Sequence, residues 1–342
     1  MTEAFEIVLP GVVDPSGLEV HLRTLSPPKT GQVSVRVEAS GVSFAEQQMR
    51  RGKYYDQPPF PFVPGYDLVG TVTAVGPDVS PDLVGRRFAV LTKIGGWASQ
   101  VLLDAADLVP VPDGVDPVEA ETVVVNGITA WQMLHRVART RRGGTILVHG
   151  ANGGVGSTLV QLARHAGIRV IGTASPRHHD AVRSLGAIPV DYRADVTARV
   201  RELAPGGVDA VFDHIGGPGI VDSFGLLASG GTLVSYGTAS TRDTVGSSRL
   251  PVLKLLLRLL WWNWTPNGKH AYFFNIWAGR RNVRKFRGRL AADLGQVLRL
   301  LAHGTLTAQV AARFPLTQAA AAVELAESGT VTGKVVLVPT TA

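Results

Sequence analysis

Residues 144–175 read GTILVHGANGGVGSTLVQLARHAGIRVIGTAS, and the fold is decided in this stretch. Thr145 to His149 is a short apolar run of strand character. It stops at Gly150-Ala151-Asn152-Gly153-Gly154-Val155-Gly156. Beyond this turn the apolar pattern becomes helical, with Val155, Leu159, Leu162, Ala163 and Ala166 on one face. Gly167 closes the helix, and Arg169 to Thr173 is a second apolar run. Strand, glycine-rich turn, helix and strand together occupy about thirty residues, the length of one βαβ unit.

Phosphate chemistry explains the glycines. The spacing Gly150, Gly153, Gly156 lets the backbone turn tightly and approach a pyrophosphate without Cβ clashes. The helix behind the turn starts with unpaired N–H groups and a positive dipole end, which suits an anion. The turn lies between a strand and a helix, the context that a dinucleotide site requires. The end of the second strand discriminates between cofactors. An NAD site usually places an acidic residue there for the ribose 2′-hydroxyl. Here the chain reads Thr173-Ala174-Ser175-Pro176-Arg177-His178-His179, with no carboxylate. Ser175, Arg177 and His178 favour the 2′-phosphate of NADPH.

The βα alternation continues on the carboxyl side. Residues 188–192, 208–213 and 232–236 read as strands, with helices at 196–203 and 220–227 between them. Such alternation means a doubly wound parallel sheet. Ligands should gather at the strands' carboxyl ends, at Gly150 to Gly156, Ser175, Tyr192, His214 and Gly237. His149 and His214 read as packed, hydrogen-bonded strand-end residues. The run 270–277 is one more strand, an apolar edge that suits pairing with a second copy of the chain. The amino-terminal third is different. Val33, Val35 and Val37 alternate with polar neighbours, and strands at 65–75, 87–91 and 96–103 are punctuated by Gly and Pro. Ser43 is an N-cap candidate for the helical stretch that follows. A compact β-rich domain is expected there. An amphipathic helix follows at 286–301, an Ala-rich helix at 319–328 and a last strand at 334–338.

Composition narrows the function classes. The chain has 342 residues, enough for two domains, and no cysteine. Disulfides, thiolate catalysis and cysteine-ligated zinc are therefore excluded. The start, MTEAFEIVLPG, has neither a basic nor an apolar leader segment, so a cytoplasmic setting is expected. The net charge of +7 is concentrated partly in residues 280–289, RRNVRKFRGR. A solvated loop leading into a helix is preferred there over a nucleic-acid surface, and no nucleic acid is expected. Residues 250–264, LPVLKLLLRLLWWNW, are too short and too charged to span a bilayer. An interfacial membrane helix is one reading, and a lid or subunit-contact helix is the preferred one.

With these residues in place, the chain resembles the medium-chain dehydrogenase/reductase superfamily. The likeness is to its zinc-independent quinone oxidoreductase branch, in the group of vesicle amine transport proteins. It is carried by GVSFAEQQMRRGKYY, FPFVPGYDLVGTVTAVG, VNGITAW, LVHGANGGVG, VIGTASPRHH, PVDYR and TGKVVLVP, in the family's order. The resemblance implies an α/β protein. A GroES-like β-rich catalytic domain (1–124 and 281–342) is joined to a Rossmann doubly wound parallel sheet (125–280). It also implies that Asn126 and Thr129 line the cofactor; the turn residues, Thr173 and Tyr192, at the carboxyl ends of the strands, complete the expected cofactor-binding set. Zinc-dependent members carry Cys and His after the first GV and Gly-His-Glu in the PG motif. This chain has Ser43-Phe44 and Gly65-Tyr66-Asp67 there, so no metal site is expected.

Without a Lewis acid, hydride transfer needs an acceptor that is already conjugated. A quinone or an α,β-unsaturated carbonyl (enone or enoyl thioester) moves charge to its oxygen, where a hydrogen-bond donor and a proton suffice. Tyr54 matches the tyrosine that enoyl-reducing relatives place near the nicotinamide, and Ser43 is expected to hold water or the carbonyl. Tyr55, adjacent and chemically identical, has no such match and serves as the internal comparison. Two other classes stay open from sequence. One is a non-reducing cofactor-binding member, such as a polyketide-pathway partner or cyclase. The other is a membrane- or RNA-associating protein on the same scaffold.

Overall fold

The computed structural model describes residues 2–241 and 249–339. The chain divides into two compact units, Met1–Ile128 with Gly279–Ala342, and Thr129–Ala278.

The second unit is built on six parallel strands. Their order across the sheet is Ala187–Asp191, Arg169–Ala174, Thr145–Val148, Val208–Asp213, Leu227–Ser235 and His270–Phe273. Leu147, Ile171, Val211 and Leu233 are wholly buried at its centre, because helices cover both faces. The chain enters at Thr145–Val148, winds outward one way, then returns to Val208–Asp213 and winds the other way. The direction reverses between these two strands, and open α/β sheets bind ligands at such a point. The helix Gly154–His165 leaves the carboxyl end of the first of them.

Two expectations from sequence need correction. The helix starting at Ile220 ends at Gly225, and Leu227 opens a strand. Val208 pairs with Leu227 but Ala210 pairs with Thr232, so residues 228–231 bulge out, through Gly230 at φ +78. The edge strand covers His270–Phe273 and stops short of residue 277. Asn275 ends it: its side-chain oxygen accepts from Trp277 N at 2.9 Å, and its carbonyl accepts from Ala278 N at 3.0 Å.

The first unit is β-rich. Its main sheet runs Val310–Pro315, Lys334–Val338, Gln32–Val42, Asp67–Val75, Arg87–Leu91 and Val109–Pro110, with Gln100–Asp104 also paired to Gln32–Val42. Val33, Val35 and Val37 all face a core shared with Leu68, Val72, Phe88 and Val101. The strand expected from residue 96 begins at Gln100, because Trp97 turns inward. Its indole N–H donates to Gly41 O at 2.9 Å, and its carbonyl accepts from Ile7 N.

A buried ionic knot ties the two chain segments of this unit. Lys334 Nζ lies 2.7 Å from Asp67 Oδ2 and 2.6 Å from Glu121 Oε1. Asp67 Oδ2 also accepts from Val125 N at 2.8 Å. Burial pulls the lysine's pKa down, but the two carboxylates outweigh it and hold the ammonium charged. Breaking such a pair by removing one partner typically costs about 3–5 kcal/mol, because an uncompensated buried charge remains.

Candidate active-site elements

In the second unit the turn after Thr145–Val148 has a geometry only glycine supplies. Gly150 sits at φ +64. A Cβ on Gly156 would lie 2.2 Å from Gly150 O, in the backbone of the same turn. Gly153 is the N-cap of the helix and has no side chain to bond its first amides. The positive end of a twelve-residue helix is thus left for an outside acceptor. Ala151 N donates to Thr173 O at 2.9 Å and holds the turn against the next strand. Asn152, Gly154 and Val155 complete the half-buried turn.

Beneath the turn runs a directed chain of hydrogen bonds. Gly150 N donates to Thr173 Oγ1 (3.1 Å), which lies 3.3 Å from His149 Nδ1. His149 Nε2 is 3.1 Å from Ser223 Oγ, which donates to Asp213 Oδ2 at 2.8 Å. The serine's proton is committed to the carboxylate, so Nε2 must be the donor to it. Nδ1 is then free to accept from the threonine hydroxyl. The chain is complete with a neutral imidazole, and burial accordingly pushes the His149 pKa below its ordinary value. Asp213 Oδ1 accepts from Ile215 N and Gly216 N, fixing the loop that carries His214. The Thr173 hydroxyl therefore points inward to support the turn.

Ser175, at the end of the second strand, is buried, and its hydroxyl is among the buried polar atoms without a hydrogen-bond partner. Such a group costs stability unless something outside the chain completes it. Arg177 stands exposed on the short turn Pro176–His178, and His178 is buried beside it. Tyr192 N bonds Ala174 O at 3.3 Å, so Tyr192 adjoins the same strand end. Its ring is exposed, beneath the Arg193 guanidinium. Gly237 follows the strand Leu227–Ser235, where a Cβ would lie 2.6 Å from His214 O. Thr129 is buried on the helix Val125–Trp131. Asn126, on the same helix, donates its amide to Thr122 O at 3.0 Å.

In the first unit Ser43 caps the helix Phe44–Arg50, as its position in sequence suggests. Its Oγ accepts from Ala45 N, and Glu46 reaches back to Ser43 N at 3.0 Å and to the Ser43 hydroxyl. The other Glu46 oxygen accepts from Tyr66 N at 2.6 Å. Burial raises the Glu46 pKa above its ordinary value, against the hydrogen bond from Ser43. Tyr66 is buried, and its hydroxyl meets that of Tyr54 at 2.7 Å. Tyr54 and Tyr55 rings are in contact, with centroids 4.7 Å apart. Tyr55 is thus coupled to Tyr54 and is no inert comparison for it. Among the described residues, no group of three or more His, Cys, Asp or Glu is placed to hold a metal ion.

Comparison with known proteins puts this geometry in a family. Residues 29–113 match the alcohol dehydrogenase GroES-like domain, and residues 185–337 match the zinc-binding dehydrogenase family. The human synaptic vesicle membrane protein VAT-1 homolog is 32% identical over 97% of this chain and 86% of its own. The chain belongs to the medium-chain dehydrogenase/reductase superfamily. Its β-rich unit is the GroES-like domain of that family, and its parallel sheet is the Rossmann domain. A quinone oxidoreductase of Pseudomonas syringae is similar over 98% of this chain and 100% of its own, with TM-score 0.83 and 28% identity. A mycobacterial protein complexed with NADPH has TM-score 0.82 and 28% identity, covering 98% of this chain and all of its own. The likeness is to the quinone oxidoreductase branch. The zinc-binding family name does not carry over to the ligand positions, which are Ser43, Tyr66 and Asp67 here.

Reading the sequence missed Tyr66 and Glu46 as members of the phenol cluster, and Ser223 as a link in the His149 chain. Tyr66 carried a signal, since it stands at the metal-ligand position of the PG motif. Ser223 carried none, because its partners lie 74 and 10 residues away.

Proposed function

We propose that the protein is an NADPH-dependent reductase that delivers hydride to a quinone or an α,β-unsaturated carbonyl. One observation carries the reading: a glycine-built turn at a helix start, with the uncommitted buried hydroxyl of Ser175 at the next strand end. Both features fit a phosphorylated dinucleotide. The backbone of Gly150 to Gly156 would hold the pyrophosphate, and Ser175 and Arg177 the 2′-phosphate. A reduced nicotinamide supplies a hydride when bound. The quinone oxidoreductase and the NADPH complex among the similar structures support the same reading. Tyr54 then donates a proton to the oxygen that gains charge, whereas the Ser43 hydroxyl, expected from sequence to hold the carbonyl, gives its proton to Glu46.

The test is NADPH oxidation, followed by absorbance, over a panel of quinones, enones and enoyl thioesters. Turnover with at least one class, and less with NADH, is expected. Failure to bind NADPH would overturn the reading. Tight binding with no turnover on the whole panel would favour the non-reducing class.

Two surface readings accompany this function. The strand His270–Phe273 is an edge with Tyr272 exposed, and it suits pairing with the same strand of a second copy. A monomer by sedimentation at micromolar concentration would exclude it. The helix Arg249–Trp264 buries Leu255, Leu259 and Trp262 in the Rossmann core, with Trp262 stacked on Phe224. Its other face exposes Leu250, Leu253, Leu257, Leu260, Trp261 and Trp264, the last 93% exposed. Lys254 and Arg258 are exposed on the same helix, a composition that suits an anionic membrane surface. No helix among the described residues is long and apolar enough to cross a membrane.

A further inference from the structure

The strand Glu19–Leu25 belongs to neither of the sheets described above. It pairs antiparallel with Thr2–Val8 along its whole length, from Val8 opposite Glu19 to Thr2 opposite Leu25. The far edge of Thr2–Val8 is tied to the body of the unit, where Ile7 N donates to Trp97 O at 2.9 Å and Ser99 N to Phe5 O at 2.8 Å. Glu19–Leu25 is therefore the outer strand, and the six residues from Glu19 to Thr24 are all exposed. Among the described residues, the backbone of 19–24 bonds to nothing but Thr2–Val8. Its outward N–H and C=O groups form a template for another strand.

Charges usually blunt such an edge. Here they are arranged to match themselves. By register, Val20 and Leu22 share a face with Ile7 and Phe5, and they are 53% and 81% exposed. Glu19, His21 and Arg23 occupy the other face. An antiparallel two-fold axis must pass through a residue that faces its own copy, because the two kinds of cross-strand pair alternate. With His21 at the axis, Glu19 meets Arg23 twice and Val20 meets Leu22 twice. Moving the axis to Val20 sets Glu19 against His21 and Arg23 against Gly17. Moving it to Leu22 sets Glu19 against Leu25. Only the His21 axis joins opposite charges and apolar pairs together. Arg23 Nε already lies 2.7 Å from Glu6, and His21 Nε2 lies 2.8 Å from Glu19. Neither contact exhausts its group, since a guanidinium has five N–H donors and a carboxylate two accepting oxygens.

We propose that Glu19–Leu25 is a self-recognising edge, which pairs antiparallel with the same strand of a second copy of this chain about a two-fold axis at His21. The two hairpins then make one four-stranded sheet. The Glu19–Arg23 pairs set the register, and the Val20–Leu22 pairs cover the exposed apolar groups. The interface is isologous, so each of these contacts occurs twice. It engages about five residues a side, against the ~20–30 of a standard interface, so the association is weak and depends on concentration. It is separate from pairing at His270–Phe273 and independent of the reductase reading.

The chain has no cysteine, so an introduced thiol reports on its own neighbour. Cross-linking at a chosen residue also reads this edge alone, whatever other edges do. In the full-length protein under mild oxidation, His21→Cys should form a disulfide-linked dimer, because residue 21 faces its copy with Cα atoms about 4.5–5.5 Å apart. Glu19→Cys and Arg23→Cys should each link to themselves about tenfold more slowly, since each lies about 13 Å from its own copy. Mixed together, those two proteins should link to each other. In the His21→Cys background, Glu19→Arg and Arg23→Glu should each slow the cross-link about tenfold, because two attractive pairs become repulsive. The double swap Glu19→Arg/Arg23→Glu should restore it. All three positions are exposed, so folding is expected to be unaffected. A His21→Cys rate no greater than the two controls, or fast linking of Glu19→Cys to itself, overturns the pairing. Charge variants that leave the rate unchanged, or a double swap slower than either single change, overturn it as well.

Discussion

Replacing Gly156 with alanine sets two effects against each other. Gly156 is the third residue of the helix Gly154–His165, where alanine is intrinsically better than glycine by about 1 kcal/mol. Propensity alone therefore makes Gly156→Ala stabilising. Packing says the reverse. The new methyl would lie 2.2 Å from Gly150 O, 2.9 Å from Gly150 C and 3.0 Å from Ala151 Cα. Ordinary carbon–oxygen contacts fall near about 3.3 Å, so the turn must open by roughly 1 Å. All three obstacles are backbone and cannot rotate away. The Gly150 carbonyl also accepts from Gly153 N at 3.0 Å, so opening the turn moves the amides at the helix start. Each charge-assisted phosphate contact is worth about 1.5–3 kcal/mol, and losing one weakens NADPH about ten- to a hundredfold. Gly225, the last residue of Ile220–Gly225, is the comparison, because a Cβ there meets nothing within 4 Å. Fluorescence titration with NADPH should show the loss in Gly156→Ala and none in Gly225→Ala. A Gly156→Ala protein that binds NADPH within twofold of the parent and melts higher would refute the phosphate cradle.

Other outcomes follow from the same structure. Ser175→Ala and Arg177→Ala should each weaken NADPH about ten- to a hundredfold, the worth of one charge-assisted contact, and leave NADH unchanged; equal losses for both cofactors by titration would remove the 2′-phosphate from the reading. The His149 pKa lies below its ordinary value of 6.5, so the unfolded chain binds the extra proton first. Its contribution to stability is fully present above pH 6.5 and is lost as pH falls through the folded pKa. Denaturant unfolding at pH 5 and pH 7.5 should therefore show an acid sensitivity that His149→Gln reduces. Trp264→Ser and Leu257→Ser should cut cosedimentation with anionic phospholipid vesicles severalfold without changing NADPH affinity, and binding that ignores both changes would free this face of that role.

The Rossmann half was legible because its parallel strands are buried on both faces. Leu147, Ile171 and Val211 sit in near-continuous apolar runs, and glycines punctuate them where the backbone needs positive φ. Boundaries were less legible where a side chain overrides propensity. Phe274 to Trp277 read as strand, yet the Asn275 side chain captures Trp277 N and turns the chain. The strand Val310–Pro315 went unread because, apart from exposed Arg313, it is half-buried along its length and carries no alternation. In the candidate site, backbone chemistry was visible, since glycine spacing has a local cause. The side-chain networks were not. Tyr66 reaches Tyr54 across 12 residues and Lys334 reaches Asp67 across 267, and neither separation has a periodicity to detect.

Residues 66 and 67 show how this chain departs from the zinc-dependent members, which place His and Glu there. A neutral imidazole offers a lone pair to a metal, whereas a phenol with its ordinary pKa near 10 keeps its proton at neutral pH. Asp67 keeps a carboxylate, but its Oδ2 is held by Lys334 Nζ and Val125 N. Freeing it would leave the lysine buried against Glu121 alone. Glu46 has both oxygens engaged, by Ser43 and Tyr66. The carboxylates of this corner are committed to structure, and its phenol is the group left with a proton to donate. Restoring the metal pair by sequence alone should therefore fail. In Tyr66→His/Asp67→Glu, the extra methylene enters a site where residue 67 is wholly buried, and overpacking of this kind costs about 1–3 kcal/mol. The shift also drags the lysine's partner off its 2.7 Å contact. The double variant should melt lower than the parent, and equally so with and without added zinc. A melting midpoint that zinc raises would show that the introduced imidazole and the longer carboxylate suffice to rebuild a metal corner without any thiolate, and that the knot around Lys334 yields more easily than its burial implies.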